Sequence, residues 1–330
     1  MLRRHFLGAA AAALAFGASA APRTPTTAAR AESLDATRFA ALRRFARTPQ
    51  GEVAYLDYGS GPAALFLHGF PLNSFQWRGA IERLSPYRRC IAPDFLGLGH
   101  SRVAAGADVT PEAQAAMLAA LLDTLAIPHV DVVANDSGAT VAQLLLARHP
   151  QRVRTLLLTN GDSEIDSPPP ALMPVIELSK QGRFADEWLA PWHADKTRAR
   201  SPQGIGGMCY ADPAQPTDEA IDTYFAPLLA SAHSRERLHA YAIGLERNAL
   251  QGIEATLRRS RVPVRIVWGT ADTIFAPGGA DYLDRTFGAS QGVRRLEGSK
   301  LFWPEERPDV IAAEARRLWR AWTPAEAGWR

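Results

Sequence analysis

The sequence predicts an α/β protein built on a mostly parallel, doubly wound sheet, with a helical segment inserted late in the sheet. Three observations predict it. Short, continuous apolar runs recur from about Arg43 onward, as strands buried on both faces require. Helical stretches alternate with them. The strand pattern then stops between Asp162 and Arg259 and resumes at Val264. The 330 residues are 47% hydrophobic and 22% charged, which excludes a disordered or collagen-like chain. No short repeat marks a solenoid or propeller. Two cysteines cannot build a disulfide framework.

The first twenty residues read as a targeting segment. Arg3-Arg4-His5-Phe6-Leu7 precedes an Ala-rich apolar run over 8–17, and Ala18-Ser19-Ala20 supplies the small residues of a cleavage site. This is the pattern of a secretory signal over 1–20, and the paired arginines followed by Phe-Leu make it twin-arginine in type. An ordinary Sec signal or a membrane anchor is the alternative. The run is shorter than the roughly 20 apolar residues of a spanning helix. Cleavage after Ala20 and a periplasmic or secreted location in a bacterium are the expectation. Residues 21–42, rich in Ala, Thr, Pro and Arg, are expected to form a flexible lead-in. The formal charge is +3, and with Arg3 and Arg4 set aside 35 basic residues face 34 acidic ones. So balanced a chain is no argument for nucleic acid or an anionic membrane as partner. A small-molecule substrate is expected instead, with no membrane attachment after cleavage and a monomer or homodimer as the assembly.

The core is expected over 43–161 and 260–330. The segment 52–58 (EVAYLDY) alternates as a strand and follows the turn signal Thr48-Pro49-Gln50-Gly51. Apolar runs at 63–67, 89–92, 130–134, 153–159, 264–268 and 293–296 supply the other strands. Helices are expected at 111–125, 139–149 and 305–322. Residues 162–259 read as helical and aromatic, with Trp188, Trp192, Tyr210, Tyr224, Phe225 and Tyr241. An insertion at that place reads as a lid over the carboxyl ends of the strands, where ligands bind in such sheets. A purely structural subdomain with core aromatics is the alternative.

Val132-Val133-Ala134-Asn135-Asp136-Ser137-Gly138-Ala139 runs from a buried strand straight into a helix. Ala134 and Gly138 flank Asp136 at two positions either side, the small-x-nucleophile-x-small spacing of a nucleophile elbow. Bulk at those two positions would collide with the strand and helix being joined. The apex residue projects above the sheet, and at a helix N-terminus the dipole favours a negative group. Here the apex residue is Asp. With Ser137 at the apex the flanks would be Asn135 and Ala139, a poorer fit. Ser137 as a serine-esterase nucleophile is therefore the second reading.

These residues resemble the α/β-hydrolase superfamily, in its branch with an aspartate nucleophile: haloalkane and haloacid dehalogenases and epoxide hydrolases. The resemblance runs from about Arg43 to the C-terminus. It rests on His68-Gly69-Phe70-Pro71, Asp94-Phe95-Leu96-Gly97-Leu98-Gly99-His100-Ser101, Asn135-Asp136-Ser137-Gly138 and Trp268-Gly269-Thr270-Ala271-Asp272, each after a strand and in the family's order. It implies the α/β-hydrolase fold and a two-step reaction. Asp136 would attack a carbon bearing a halide or an epoxide oxygen and form an alkyl ester. The backbone N–H groups of Phe70 and Ser137 would form an oxyanion hole. Asp272 matches the triad acid, which in the family orients a water-activating histidine. No metal or organic cofactor is implied. Tyr210, Tyr224 and Tyr241 are candidate acids toward an epoxide oxygen, and Trp188 and Trp192 candidate halide donors.

One position departs from the family. Its histidine follows the last strand in a Gly-x-x-His-Phe context, ahead of Glu-Glu-x-Pro. Here the stretch reads Gly298-Ser299-Lys300-Leu301-Phe302-Trp303-Pro304-Glu305-Glu306-Arg307-Pro308, and the histidine position falls on Leu301. No histidine follows His239. Lys300 could act as a base only with a much lowered pKa. His193, His233 and His239 lie in the inserted segment. A binding protein that has lost catalysis is the competing class. Neither a Cys/His metal cluster nor a phosphate-binding glycine loop is present. A bridge between Cys90 and Cys209 is left open.

Overall fold

The computed structural model describes residues 33–321. The signal reading over 1–20, and most of the lead-in, lie outside the described residues. Eight strands form one sheet: β1 (Arg43–Thr48), β2 (Gly51–Tyr58), β3 (Ala63–Leu67), β4 (Arg89–Pro93), β5 (Val130–Asp136), β6 (Val153–Gly161), β7 (Val264–Gly269) and β8 (Ser290–Leu296). Their spatial order is β1-β2-β4-β3-β5-β6-β7-β8. The β1–β2 and β2–β4 pairs are antiparallel, and every pair from β4–β3 through β7–β8 is parallel. Every residue of β3, β5 and β6 is buried, which is why these strands read as largely apolar runs, with Asp131 of β5 and Arg154 of β6 buried as an ion pair at 2.8 Å. At the edge, β8 buries only Leu296.

Helices occupy the crossovers in chain order. They are α1 (Ala36–Leu42), α2 (Arg78–Leu84), α3 (Pro111–Thr124) and α4 (Ser137–Arg148), which starts directly after Asp136. Between β6 and β7 come α5 (Met173–Lys180), α6 (Ala190–Ala194), α7 (Lys196–Arg200), α8 (Ile205–Cys209), α9 (Asp218–Leu229), α10 (Ala232–Gly244) and α11 (Glu254–Arg259). The C-terminal part adds α12 (Gly278–Thr286), α13 (Trp303–Glu306) and α14 (Pro308–Ala321). Among the described residues, no helix is long and apolar enough to cross a membrane.

Three sequence expectations are corrected. The flexible lead-in over 21–42 does not extend to its end, because Ala36–Leu42 is α1. Asp35 caps that helix by accepting from the Arg38 N–H, and Phe39 is buried against Phe75 at 5.2 Å. The turn at Thr48–Gly51 does not open the sheet. It closes a hairpin in which β1 pairs Arg43 with Leu56 and Thr48 with Gly51. As an edge strand β1 buries only Ala46 among Arg43, Arg44 and Arg47, so it offers no apolar run to read. The single helix over 305–322 is two. Pro308 has no N–H to continue α13 and starts α14 instead.

Candidate active site

The β5–α4 junction turns at Asp136, whose backbone sits at φ 56°, ψ −131°. It is one of two non-glycine residues with positive φ among the described residues, and such strain persists only where packing enforces it. The packing is visible in three glycines. A Cβ on Gly138 would lie 2.6 Å from the Leu67 carbonyl and 2.7 Å from that of His68. One on Gly161 would lie 2.7 Å from the Asp136 carbonyl, and one on Gly69 would lie 2.7 Å from Asp136 Oδ2. Strand, helix and the loop after β3 thus meet at backbone contact, with the Asp136 carboxylate and the Phe302 ring closing on Gly69. It does not cap its own helix. Its Oδ2 accepts the Phe70 N–H at 2.7 Å, and the Ser137 N–H also donates to the carboxylate.

Asp136 faces a cavity of about 280 Å³ that is largely apolar. Phe70, Pro71, Phe184, Trp188, Trp192, Ile205, Met208 and Leu301 line it, with Ser137, Asp162, Cys209 and Thr273 among its polar members. The two tryptophans contact each other at 5.4 Å. Burial, then the negative charge of Asp162, push the Asp136 carboxyl well above the usual range, against the two N–H donors that favour its charged form. Cys209 and Cys90 are both free and buried. Burial, with the charges of Asp272 and Asp136, keeps the Cys209 thiol neutral.

Asp272 stands at the end of the β7 loop, with its carboxylate taken up by Asn160 Nδ2 (2.8 Å) and by the Ile274 and Phe275 N–H groups. Burial nonetheless lifts it to about 6. Asn160 in turn accepts the Gly269 N–H (2.7 Å) and the Trp303 indole N–H (3.1 Å). A second chain of amides holds the loops around Asp136. Gln76 Oε1 accepts the Gly69 N–H at 2.9 Å, and Gln76 Nε2 donates to Asn135 Oδ1 at 2.7 Å. Asn135 Nδ2 donates to the Leu301 carbonyl at 3.1 Å. Leu301 therefore reaches the cavity on a fixed loop.

Of the sequence candidates, the structure brings Asp136, Phe70, Ser137, Trp188, Trp192 and Leu301 together around one cavity. Tyr241 stands behind Phe70, rings stacked at 5.6 Å, with its hydroxyl 3.1 Å from Ser137 Oγ. Tyr210 and Tyr224 are a correction. Neither lines the cavity, and their hydroxyls donate to Glu305 Oε2 at 2.7 and 2.9 Å, because Glu305 is a buried charge that needs donors. Lys300 donates to the Gly207 carbonyl at 2.5 Å and does not line the cavity.

No described histidine lines the cavity either. His68 accepts the Phe95 N–H at 3.0 Å, and burial holds it neutral. His239 accepts the Ala185 N–H at 3.1 Å, His193 meets Asp222 at 3.1 Å, and His233 meets the Val103 carbonyl at 3.0 Å.

Sequence reasoning missed Asp162, the residue after β6. It lines the cavity, and its Oδ2 accepts the Thr140 hydroxyl at 2.7 Å. Burial raises its carboxyl to about 6. A carboxyl raised on folding stabilises the fold below about pH 4, and that contribution is lost as the pH climbs through the raised value. Asp162→Asn, which keeps an acceptor for Thr140, is expected to leave stability at pH 4 unchanged and to increase it at pH 8 by roughly 3 kcal/mol. Urea unfolding at the two pH values checks this, and equal effects at both would contradict it.

A family model described as the alpha/beta hydrolase fold matches residues 62–300. A haloalkane dehalogenase of Mesorhizobium japonicum is 44% identical over 102 residues, covering 31% of this chain and 33% of that protein. Haloalkane dehalogenase 2 of Mycobacterium bovis is 27% identical over 293 residues, covering 82% of this chain and 92% of that protein. An epoxide hydrolase of Caballeronia sordidicola is 37% identical over 117 residues, 33% of this chain and 36% of that protein. The matched stretch thus spans about a third of the first and third relatives' lengths. The solved epoxide hydrolase CorEH superposes with a TM-score of 0.70 at 20% identity, over 84% of this chain and 98% of that one, which shows a shared fold.

Proposed function

The chain belongs to the alpha/beta hydrolase fold family, and from that premise we propose a hydrolase that uses Asp136 as nucleophile on a small apolar electrophile, an alkyl halide or an epoxide. The observation that carries this is the Asp136 carboxylate itself. It stands on a strained apex, held by two N–H groups, over an apolar cavity. In the first step a carboxylate oxygen attacks carbon, the carbon–halogen or carbon–oxygen bond breaks, and an alkyl ester forms. In the second step water adds to the ester carbonyl, whose oxygen draws the Phe70 and Ser137 N–H groups as it becomes negative. Trp188 and Trp192 line the cavity, and their indole N–H groups are the proposed donors to a departing halide. Ser137 suits the nucleophile role less. Its hydroxyl is shared with Tyr241, and the cavity wall offers it no imidazole.

Incubation with haloalkanes and epoxides, followed by intact mass and peptide mapping, tests the reading. Alkylation at Asp136, with halide, alcohol or diol released over many cycles, supports it. Leu301 favours a second reading, a ligand-binding protein without turnover. Binding of these compounds with neither adduct nor product, unchanged by Asp136→Asn, would establish that alternative. The cavity position of Leu301 gives a gain-of-function test. Leu301→His is expected to speed breakdown of the Asp136 ester at least about tenfold, toward the range of general-base catalysis. Single-turnover mass spectrometry measures it, and an unchanged breakdown rate counts against the Asp136 ester.

A further inference from the structure

We propose that Asp162, at the carboxyl end of β6, is the base that activates water to open the Asp136 ester. The proposal rests on the Asp136 reading above and supplies what Leu301 removes from it.

Position comes first. β5 and β6 pair Asp136 with Gly161, so Asp162 is the next residue along the strand beside the nucleophile. The contact is close: a Cβ on Gly161 would lie 3.2 Å from the Asp136 backbone nitrogen. Asp162 and Asp136 line the same cavity. A water that attacks the ester carbonyl must occupy that cavity, because the ester points into it.

Orientation comes second. Thr140, in the first turns of α4, donates its hydroxyl to Asp162 Oδ2, and the Ser167 hydroxyl donates to the carboxylate as well. Gln143 Nε2 holds the Asp162 main-chain carbonyl at 2.9 Å. The side chain is thus fixed by neutral hydroxyls, Thr140 from the helix that begins at the nucleophile and Ser167 from the inserted segment.

Charge comes third. The leading charges on the pair are carboxylates: Asp162 and Asp272 act on Asp136, and Asp166 acts on Asp162. Asp162 titrates near 6, in the range where an imidazole base works, so most of it is ionised at neutral pH. Asp272, with a similar value, does not line the cavity, whereas Asp162 does.

The step balances. Asp162 takes one proton from water, and the hydroxide oxygen bonds to the ester carbonyl carbon. The bond from that carbon to the alkyl oxygen breaks, and the alkoxide takes the proton back from Asp162 to leave as alcohol. The new Asp136 carboxylic acid, now carrying the water oxygen, releases its proton to solvent.

The test uses the full chain with 1-bromoalkanes from bromopropane to bromohexane in rapid-quench intact-mass experiments. Asp162→Asn is expected to form the Asp136 ester at close to the wild-type rate and to hydrolyse it about 100-fold more slowly. Adduct then accumulates to one per chain. In the wild type, ester breakdown should rise with pH through about 6, and Asp162→Asn should abolish that rise. Thr140→Val keeps the carboxylate but removes its donor, so it should move the midpoint upward. Formate should restore breakdown in Asp162→Ala. Unchanged breakdown in Asp162→Asn, with the wild-type pH profile, overturns the role of Asp162 alone. A single turnover in water labelled with oxygen-18 separates that failure from the larger one. Label in Asp136 supports the ester route, and turnover without label or adduct at Asp136 overturns the nucleophile and with it this base.

Discussion

Asp136→Asn is expected to give a folded protein that takes up no alkyl group and releases neither halide nor alcohol, a loss of at least about 10⁴-fold in turnover. The substitution changes only the reacting group. An amide oxygen still accepts an N–H from Phe70 or Ser137, but the side chain is neutral and far less nucleophilic than a carboxylate. Asparagine also matches aspartate in size and shape, so the strained apex at φ 56° is not newly crowded. The fold should gain rather than lose stability at alkaline pH. Burial and the Asp162 charge raise the Asp136 carboxyl, so its ionisation costs the folded state free energy as the pH rises. An inactive variant that is more resistant to urea at pH 8 is the expected pairing. Inactivity with a lowered unfolding midpoint would point to a damaged elbow and would not establish the nucleophile. Intact mass after haloalkane incubation, read beside the urea curve, separates the two.

The sequence made the elbow legible because its demands are local. A buried apolar strand, two small residues and a helix start lie within eight positions, and the glycine contacts at 2.6–2.8 Å show why nothing larger fits. The central strands were legible for a similar reason, since burial on both faces makes the run mostly apolar. What was not legible depends on long-range pairing. Asp162 is an unremarkable acid in the sequence until β5 and β6 pair in register and place it beside Asp136. Asn160 and Asn135 become bracing groups only when residues more than 100 positions away supply Asp272 and Leu301. A signal was nonetheless available. Polar residues at the carboxyl ends of buried strands are costly to bury, and Asn135 and Asp136 end β5 while Thr159 and Asn160 precede the last residue of β6. The tyrosines misled because an aromatic in an inserted helical segment has no local feature to separate a cavity wall from a core.

Those same tyrosines carry the second large effect, because the group they bind joins two parts of the chain. Glu305, on α13, forms a 2.7 Å ion pair with Arg78 on α2 and accepts from Tyr210 and Tyr224, both in the inserted segment. The Glu305 side chain is 3% exposed and that of Arg78 is 18%. Burial and the Glu305 charge push both phenols well up, so they donate as neutral hydroxyls. Glu305→Ala removes one partner from a buried pair. It leaves Arg78 uncompensated and two hydroxyls without their acceptor, so a loss of about 3–5 kcal/mol is expected. Glu305→Gln keeps an acceptor for the tyrosines and loses only the charge, and should fall between the wild type and Ala. Urea unfolding measures both. Trp188 and Trp192 reach the cavity from this inserted segment, so loosening its hold on α2 and α13 should also weaken substrate binding more than chemistry. A raised KM with a nearly constant ester-formation rate is the expected kinetic sign. A Glu305→Ala variant as stable as the wild type would mean that the ion pair contributes no more than its own desolvation costs, and that apolar packing alone fixes the inserted helices over the cavity.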